Sequence, residues 1–337
     1  MKYNIYDVAR KAGVSVVTVS KVINNSETVR EGNRQKVLQA MKELNYNPSS
    51  AARSLASGRT RVIGLIVDNL TDTFLSSAMG AINKCLEKNG YFLALSLIRE
   101  PDDGDHVQIP YLFQEDRVDG LLIMTPVHED TYILDLKGKK IPFVLLDNQK
   151  YHPSIPSIIV NNHKGGYDAA RHLIGLGHKR ILHMSGPGVY MSSREREKGY
   201  RDAMTEAGLV PDVINCGEFS IECGYETARK LIRNGPLKYT GIFAADDYIA
   251  FGVMDALRNA GVNVPGDVSV IGYDDQELAA SFHPGLTTIR QPAEEMGRIG
   301  AETLIKIIKG ELKRYNTLKL DPLIVIREST GSPKKNF

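Results

Sequence analysis

Apolar residues near the start of the chain recur at helical spacing. Residues 5–24 read IYDVARKAGVSVVTVSKVIN, in which Ile5, Val8 and Ala12 follow three- and four-residue steps. Gly13 then suits the left-handed conformation that ends a helix without a Cβ penalty. A second short pattern repeats on the other side of the turn and turns a new set of apolar residues inward: Val19, Val22 and Ile23. We predict two short helices joined by a tight turn.

The residues of this turn and of the second helix favour contact with DNA. Ser15 is a good N-cap, because its hydroxyl can accept the amide of Thr18. Two short helices joined in this way also occur as an ordinary αα-hairpin in a helical bundle. That alternative leaves Val16 and Val17 unexplained, because at least one of them must face outward. A thymine methyl would match such a valine, and Lys21 one turn later can reach guanine O6 or N7. The pattern is typical of a helix-turn-helix unit.

Two further segments follow before the chain changes character. A third helix is predicted over about 31–44, with Val37, Met41 and Leu44 inward and with Arg30 as a weak cap. It completes a helical module over residues 1–47. Residues 48–60 have room for about two helical turns, which are marginal alone in water. They are either a plain linker or a helix that orders on DNA, with Leu55 as a wedge in the minor groove.

From residue 61 onward, strand-like runs alternate with helical segments. The strands are expected at 62–67, 92–97, 120–125, 143–147, 157–160, 180–184, 212–216, 241–245 and 268–273. The helices are expected at 75–89, 105–117, 164–176, 194–207, 222–234 and 248–260. The apolar runs are continuous, which is typical of parallel strands covered on both faces.

So many strands indicate two similar α/β lobes with a cleft between them. Ligands in such folds lie beyond the carboxyl ends of the strands. The loops that follow the predicted strands are therefore candidate pocket walls: 68–74, 125–128, 147–149, 185–193, 246–248 and 273–276.

Charge divides the chain in the same place. The 337 residues carry a net charge of +2, with 42% hydrophobic and 24% charged residues, as in ordinary globular proteins. Residues 1–60 hold ten Lys or Arg against four Asp or Glu, so the remainder is slightly acidic. A small basic head on an acidic body suits a polyanion at the head and a different ligand in the body.

Several classes of protein are disfavoured by what the sequence lacks. Cys85, Cys216 and Cys223 form no metal-ligand spacing, and an odd number argues against a disulfide framework. No run is apolar enough for a bilayer, and the polar N-terminus is not a signal peptide, so we expect a cytoplasmic protein. No helical metal face is expected for three histidines: His172, His178 and His183. We expect no cofactor.

An enzyme on the α/β body is the main functional alternative. The sequence has no phosphate-cradling glycine motif and no nucleophile elbow, and adjacent Asp246 and Asp247 point to different faces if helical. A transport binding protein is opposed by the missing signal peptide and by the basic head. We therefore expect a binding protein without catalytic activity.

A series of motifs, in order, resembles the lac repressor/gal repressor family over residues 5–330. The series comprises IYDVARKAGVS, LNYNPSSAARSLASG, VIGLIVDN, VDGLLIM, HLIGLGHKRI, SREREKGY, IFAADDYIAFGVMDAL, GVNVPGDVSVIGYDD and LTTIRQP. Each motif is weak alone, but the ordered series is specific. The resemblance implies an all-α helix-turn-helix DNA-binding domain followed by a two-lobed α/β domain like periplasmic binding proteins.

The domain limits that follow are 1–47 for the DNA-binding domain, 48–60 for the hinge, 61–330 for the effector domain and 331–337 for the tail. The N-lobe would comprise about 61–160 and 290–319, and the C-lobe 161–288 and 320–330. The chain would cross between lobes near 158–163, 285–291 and 318–322.

By resemblance, two sets of residues and one further leucine make contact with DNA. Val16, Val17 and Lys21 occupy the family's base-reading positions, where Arg or His is commoner than Lys. Ser15, Thr18, Asn24 and Tyr6 match positions that touch phosphate. Leu55 matches an intercalating leucine of the hinge helix.

The resemblance also implies an effector site between the lobes. Arg196 and Asp274 match a charged pair that holds sugar hydroxyls or another polar effector. Other positions that line the family's cleft are Phe74, Asp147, Asn161, Tyr190, Ser192, Phe219 and Asp246. Asn is common at position 246, and the acidic residue here favours hydroxyl-rich or cationic ligands over anions. For Asp247 and Asp275 we expect surface or capping roles, and for Arg194 a solvated one.

Taken together, the resemblance implies a repressor of a carbohydrate-utilisation operon whose operator affinity is controlled by a small sugar-like effector. We expect a homodimer on a near-palindromic site, because one short recognition helix covers only a few base pairs and two-fold symmetry doubles the readout. The family's tetramers carry a C-terminal heptad helix, and the residues ESTGSPKKNF here lack apolar heptads, so a tetramer is not expected. The alternative within the same family is a global catabolite regulator that a phosphorylated carrier protein activates for DNA binding.

Overall fold

The computed structural model describes residues 3–23, 26–46, 59–67, 73–97, 117–124, 129–235, 237–312, 314 and 316–334. Several predictions lie outside these residues. They concern Asn24, Leu55, the hinge over 48–58, nearly all of the helix at 105–117, the loop at 125–128 and most of the loop at 68–74.

The head is a three-helix unit around one small core. Its helices are α1 (Ile5–Ala12), α2 (Val16–Ile23) and α3 (Glu31–Glu43). One fully buried valine from each helix forms the centre, namely Val8, Val19 and Val37. These bounds and this core confirm the helices predicted from apolar spacing.

The ends of α1 show why this short helix forms. Asn4 and Asp7 make a reciprocal capping box: the Asp7 amide donates to Asn4 Oδ1 (3.2 Å) and the Asn4 amide donates to Asp7 Oδ2 (3.0 Å). Gly13 closes the helix in the left-handed conformation with φ of 64°, as predicted. The start of α3 is weaker, because Arg30 makes no side-chain capping bond there.

The N-lobe is built on a six-stranded parallel sheet in the order β11-β5-β4-β3-β1-β2. Its strands are β1 (Val62–Val67), β2 (Phe92–Leu97), β3 (Gly120–Met124), β4 (Phe143–Leu146), β5 (Ser157–Val160) and β11 (Thr317–Leu320). The helices of this lobe are α4 (Thr73–Lys88), α5 (Glu129–Gly138) and α11 (Ala293–Ile308). The cores on the two faces of the sheet bury aliphatic residues from nearly every strand.

The C-lobe repeats the plan with a four-stranded parallel sheet in the order β7-β6-β8-β9. Its strands are β6 (Ile181–Ser185), β7 (Asp212–Asn215), β8 (Gly241–Ala244) and β9 (Ser269–Ile271). Its helices are α6 (Asn162–Gly175), α7 (Met191–Glu206), α8 (Ile221–Arg233), α9 (Asp247–Asn259) and α10 (Glu277–Ser281). A small antiparallel pair, β10 (Thr288–Arg290) with β12 (Leu323–Val325), adjoins it.

All nine predicted strands are present, and five of the six predicted helices are confirmed within a few residues. The expectation of full coverage was wrong for β2. This strand lies at the edge of the sheet, and Phe92 and Leu97 are 71% and 47% exposed. An apolar run alone does not distinguish a central strand from an apolar edge.

Three chain segments join the two sheets, and each overlaps one of the segments predicted for the crossings or extends past it by one or two residues. They run from β5 into α6, from β10 into α11 and from β11 into β12. The six-stranded sheet therefore takes its strand β11 from a late part of the chain. Among the described residues no helix is long and apolar enough to cross a membrane.

Candidate functional site

The exposed face of α2 carries the side chains predicted to read DNA. The Thr18 amide donates to Ser15 Oγ (3.2 Å), so the predicted N-cap is confirmed. Val17 is 65% exposed, and Lys21, one turn later, is also exposed. Val16 packs partly against the head core, so Val17 is the valine that faces outward.

Two residues near α2, Tyr6 and Arg34, differ in how they are held. Tyr6 is 65% exposed in the first turn of α1. Arg34, by contrast, donates to the Ser26 carbonyl (2.6 Å) and holds the segment that follows α2. This part of the basic charge of the head therefore has a structural role.

Arg196 is the centre of a buried polar cluster in the body. It projects from the second turn of α7 and is 4% exposed. Its Nε donates to Asn162 Oδ1 (3.0 Å), its Nη1 donates to the Ala245 carbonyl (2.6 Å), and its Nη2 lies 3.3 Å from Asp274 Oδ1. The guanidinium carbon also lies 3.6 Å from the centre of the Tyr273 ring. The predicted Arg196–Asp274 pair is thus in contact.

Negative charge exceeds positive charge around this guanidinium. Burial alone would lower the pKa of Arg196, but the nearby carboxylates of Asp274, Asp147 and Asp246 raise it overall. Three carboxylates around one permanent cation leave the cluster acidic. Such a site offers many acceptors to hydroxyl groups and repels anions.

Backbone strain is concentrated in the same place. Asp147 follows β4 with φ of 48°, and Asp274 and Asp275 follow β9 with φ of 106° and 54°. Left-handed conformations cost free energy in residues with a Cβ atom, and they persist where the surroundings impose them. Both loops follow the carboxyl ends of parallel strands, where ligands of α/β proteins lie.

Two of the predicted effector residues act as helix caps. Asp246 is buried and begins α9, where its Oδ1 accepts the Ile249 amide (2.8 Å). Asn161 begins α6, accepts the Lys164 amide (3.3 Å) and donates to Asp321 (2.9 Å) at the last crossing. Both the oxygen and the nitrogen of the Asn161 side-chain amide therefore have hydrogen-bond partners within the protein.

The remaining predicted residues divide between an aromatic wall and the N-lobe core. The rings of Tyr190 and Phe219 lie 5.7 Å apart, and Phe219 occupies the space that a Cβ on Gly186 would need. Ser192 is half-buried in the first turn of α7. Phe74 is buried in the first turn of α4 and belongs to the N-lobe core.

A cavity of about 940 Å³ meets the cluster at Asp274. Phe74 also lines it, but most of its wall comes from α4 and α11: Ser77, Ala81, Lys84, Cys85, Lys88, Ala293, Glu294, Glu295, Arg298 and Glu302. It therefore follows the two helices away from Arg196. The Arg196 cluster, where buried charge and backbone strain coincide, is therefore the candidate ligand site.

Three further polar residues of the site were missed from the sequence. Gln149 accepts the Met191 amide (2.9 Å), a bond that crosses from the N-lobe to the C-lobe. Gln291 donates to Asp274 Oδ1 (2.6 Å), and Ser193 is buried with no partner for its Oγ among the described residues. Positions 149 and 193 lie in or beside loops predicted to line the pocket, and position 291 lies in a predicted crossing, so loop position was the available signal.

The surface position expected for Asp247 and Asp275 needs correction, whereas Arg194 is exposed as expected. Asp247 is fully buried, accepts the Gln276 amide (2.8 Å) and the Thr288 hydroxyl (2.6 Å), and burial raises its pKa well above the usual value. The Asp275 side chain is 9% exposed and pairs with two arginines, Arg290 and Arg327 (both 2.6 Å). Arg194 is exposed but donates to the carbonyls of Gly188 (2.7 Å) and Val189 (2.8 Å). Tertiary contacts, invisible in local sequence, gave all three a structural role.

The histidines are explained by structural contacts. His172 bonds Thr330 (2.9 Å), His178 bonds Thr240 (2.9 Å) and the Gly331 carbonyl (2.9 Å), and His183 bonds the Phe243 carbonyl (3.0 Å). Within the described part of the chain, no group of three His, Cys, Asp or Glu side chains is arranged to hold a metal ion.

A helix-turn-helix head and a two-lobed body with a polar cluster at its strand ends define a DNA-binding regulator with a ligand-binding domain. Residues 4–49 match the bacterial regulatory proteins of the lacI family, and residues 170–330 match the periplasmic binding protein-like domain. The ribose operon repressor of Escherichia coli (strain K12) is 37% identical, over 96% of this chain and 98% of the relative. The chain belongs to the lacI family of transcriptional regulators, so the resemblance and the fold class inferred from the sequence are confirmed.

Solved structures agree with this assignment. A lac repressor dimer bound to operator and the anti-inducer ONPF has 29% identity and a TM-score of 0.85, covering 98% of this chain and all of that one. A lacI-family regulator from Enterococcus faecium with bound ribose has 30% identity and a TM-score of 0.70, covering 81% of this chain and all of that one.

Proposed function

We propose that this chain is a repressor that binds a near-palindromic operator as a homodimer, and that a small sugar-like molecule between the lobes controls this binding. It acts by binding and not by catalysis, in the bacterial cytoplasm at the nucleoid. The relatives support this: one is a ribose operon repressor, one structure is a repressor dimer on operator, and another holds ribose.

On the DNA side, the proposal rests on α2. Val17 and Lys21 present an apolar group and a cation on one face of a helix narrow enough for the major groove. One short helix reads only a few base pairs, and a two-fold dimer doubles the site. The apolar edge formed by β2, with Phe92, Leu95 and Leu97 exposed, offers a surface that a second copy can cover.

The main observation in support of a sugar-like effector is the contact between Arg196 and Asp274, whose side chains are 5% and 13% exposed. A fixed guanidinium donates to hydroxyl oxygens, and the carboxylates around it accept from hydroxyl hydrogens. A sugar or polyol supplies both kinds of group in a small volume. The excess of carboxylates disfavours phosphorylated or acidic effectors at this cluster.

Control of DNA binding requires that the effector prefer one arrangement of the lobes, since equal affinity would shift nothing. The lobes are joined by three segments, and the Gln149–Met191 bond spans the cleft, so opening would break it. In a dimer, the opening angle sets the distance between the two hinge segments at 48–60. Segments held close can form short helices on the operator, and separated ones are too short to remain helical.

The test is a screen of sugars by thermal shift, followed by operator binding with each hit. A ligand at a hundred times its Kd adds about 2.7 kcal/mol to the free energy of unfolding. We expect a sugar hit that alters operator affinity in the wild type and not in Asp274→Asn. A phosphorylated carrier protein is added in a parallel assay, and enhancement by the carrier alone would favour a catabolite-type regulator. No response to any sugar or to the carrier would contradict the proposal.

A further inference from the structure

Two thiols lie at either end of the short segment that carries Phe219. Cys216 directly follows β7, and Cys223 lies in the first turn of α8. The Cys216 amide donates to the Ser185 carbonyl (2.9 Å), and the Cys223 amide donates to Ser220 Oγ (3.2 Å). The backbone at both cysteines is therefore held in place by hydrogen bonds.

The two side chains face each other. The Cys223 thiol donates to the Cys216 carbonyl oxygen. The Cys216 Sγ lies 3.9 Å from the Cys223 carbonyl oxygen and 3.6 Å from Thr227 Oγ1. Each sulfur thus contacts the main chain of the other residue. A disulfide requires the Cys223 sulfur to leave this carbonyl oxygen and meet the Cys216 sulfur in the same local cluster.

Burial makes the Cys216 thiol a poor first nucleophile, because it raises the pKa of this thiol to about 12. Only a thiolate attacks an oxidant readily, so Cys216 is disfavoured for the first step, and we assign that step to the other thiol of the pair, Cys223 in the first turn of α8. Both residues are half-exposed, so a small oxidant such as hydrogen peroxide can reach them.

The geometry points to a reversible, peroxide-dependent disulfide between Cys216 and Cys223. The Cys223 thiolate attacks one peroxide oxygen, the O–O bond breaks, and a sulfenic acid and hydroxide form. The hydroxide released in this step takes the proton of the Cys216 thiol and becomes water. The Cys216 thiolate then attacks the Cys223 sulfur, so that the S–S bond forms and the S–OH bond breaks, and the second hydroxide takes up the proton that Cys223 lost and becomes the second water. In total, two thiols and one peroxide become one disulfide and two waters.

Such a disulfide would close a ring around residues 217–222. Phe219 lies inside that ring, against Tyr190 and against Gly186. Oxidation would therefore fix the aromatic wall beside the Arg196 cluster. In a reducing compartment this disulfide would be transient, as is usual for redox-sensing pairs. Cys85 is distant in the fold, buried between α4 and α11, and takes no part.

The test is a peptide map of the full chain before and after hydrogen peroxide. Residues 202–229 contain no Lys or Arg before Arg229, so one tryptic peptide holds both cysteines. We expect loss of its doubly alkylated form and appearance of an unalkylated form two hydrogens lighter, reversed by dithiothreitol. A protease that cuts after Glu218 and Glu222 should leave the two cysteine fragments joined. Alkylation of both thiols after peroxide, sulfinic acid alone, or a disulfide between chains would overturn the inference.

Variants separate this pair from the third cysteine. Cys216→Ser and Cys223→Ser should each lose the lighter peptide, and Cys85→Ser should keep it. The effect on the effector rests on the proposed function: oxidation should weaken the effector response of wild type and Cys85→Ser, with no change in Cys223→Ser. A disulfide without any effector response in the reduced protein would contradict the proposed function alone. An unoxidised pair beside a normal effector response would contradict this inference alone.

Discussion

The two binding surfaces of this protein are built in opposite ways. On the head, Val17 is 65% exposed, and Val17 and Lys21 both project from the outer face of α2. In the body, Arg196 is 4% exposed and has three polar contacts besides a tyrosine ring. Bound DNA is large enough to cover the exposed side chains that contact it. A small ligand, by contrast, has to be enclosed by protein groups that are already in place.

Their electrostatics differ as well. Residues 1–60 have an excess of basic residues, whereas the cluster at Arg196 has an excess of carboxylates. The difference predicts that substitutions of the exposed readers Val17 and Lys21 alter DNA binding without altering the fold. Substitutions in the cluster should alter both ligand response and stability, because the same contacts serve both.

The largest effect is expected from Arg196→Ala. Removal of one partner leaves the Asp274 carboxylate buried near other carboxylates, so the free energy of unfolding should fall by about 3–5 kcal/mol. The effector response should be lost, while operator affinity of the folded protein without ligand stays nearly unchanged. Urea unfolding and operator titration measure the two effects.

Arg194→Ala is the matched control, on the same helix two residues earlier. Its side chain is exposed and donates to two loop carbonyls, so it should cost about 1 kcal/mol or less. A loss of stability and response as large as that of Arg196→Ala would remove the contrast between an enclosed and an exposed arginine. A normal response in Arg196→Ala would show that the effector site is misplaced.

Lys21→Ala tests the exposed surface of the head. We expect a loss of about 1–3 kcal/mol on the cognate operator and relaxed preference at one base pair in each half-site, with unchanged stability. Lys36→Ala on α3 serves as control, because an exposed lysine away from α2 should weaken specific and random DNA about equally. Equal loss on both kinds of DNA from Lys21→Ala would exclude Lys21 as a base reader.

His183 allows a test of the enclosed interior through pH. Burial lowers its pKa from 6.5 to about 3, so between these values the unfolded chain binds a proton that the folded chain does not. The free energy of unfolding should therefore fall as the pH drops through this window, by up to about 1.4 kcal/mol per pH unit. His183→Gln should remove this one-proton dependence. Asp247, with its raised pKa, acts in the opposite direction, but it is unchanged in the variant, so the difference in slope isolates His183.

The sequence predicted most of the fold and much less of the site. Apolar periodicity located all nine sheet strands that were proposed, because burial on two faces leaves a continuous pattern. It missed α11, although this helix packs on the N-lobe sheet, and it misjudged β2, because sheet order is not local information.

Local sequence was also insufficient to predict the contacts of the Arg196 cluster. Arg196 and Asp274 came from family resemblance, whereas the contacts of Gln149 and Gln291 with distant residues depend on tertiary structure. Asp247 and Asp275 show the limit from the other side: adjacent to predicted ligands, they are structural because of partners far along the chain, Thr288 and Arg327.

The smallest effect is expected at the capping box that begins α1, which is formed by residues three positions apart in the sequence. Asn4→Ala removes the side-chain acceptor of the capping box that begins α1, which should cost about 1 kcal/mol. Because Asn4 and Asp7 contact only each other's turn, the cost should fall on the head alone. Hydrogen exchange of α1 amides should accelerate, while amides of the C-lobe sheet exchange at wild-type rates.

Asn4→Ser, which can still cap, is the matched control and should restore most of the protection. No acceleration in either region, or acceleration that extends to β6 and β8, would mean that head and body do not respond separately, and the contrast between a locally held surface and an enclosed one would fail.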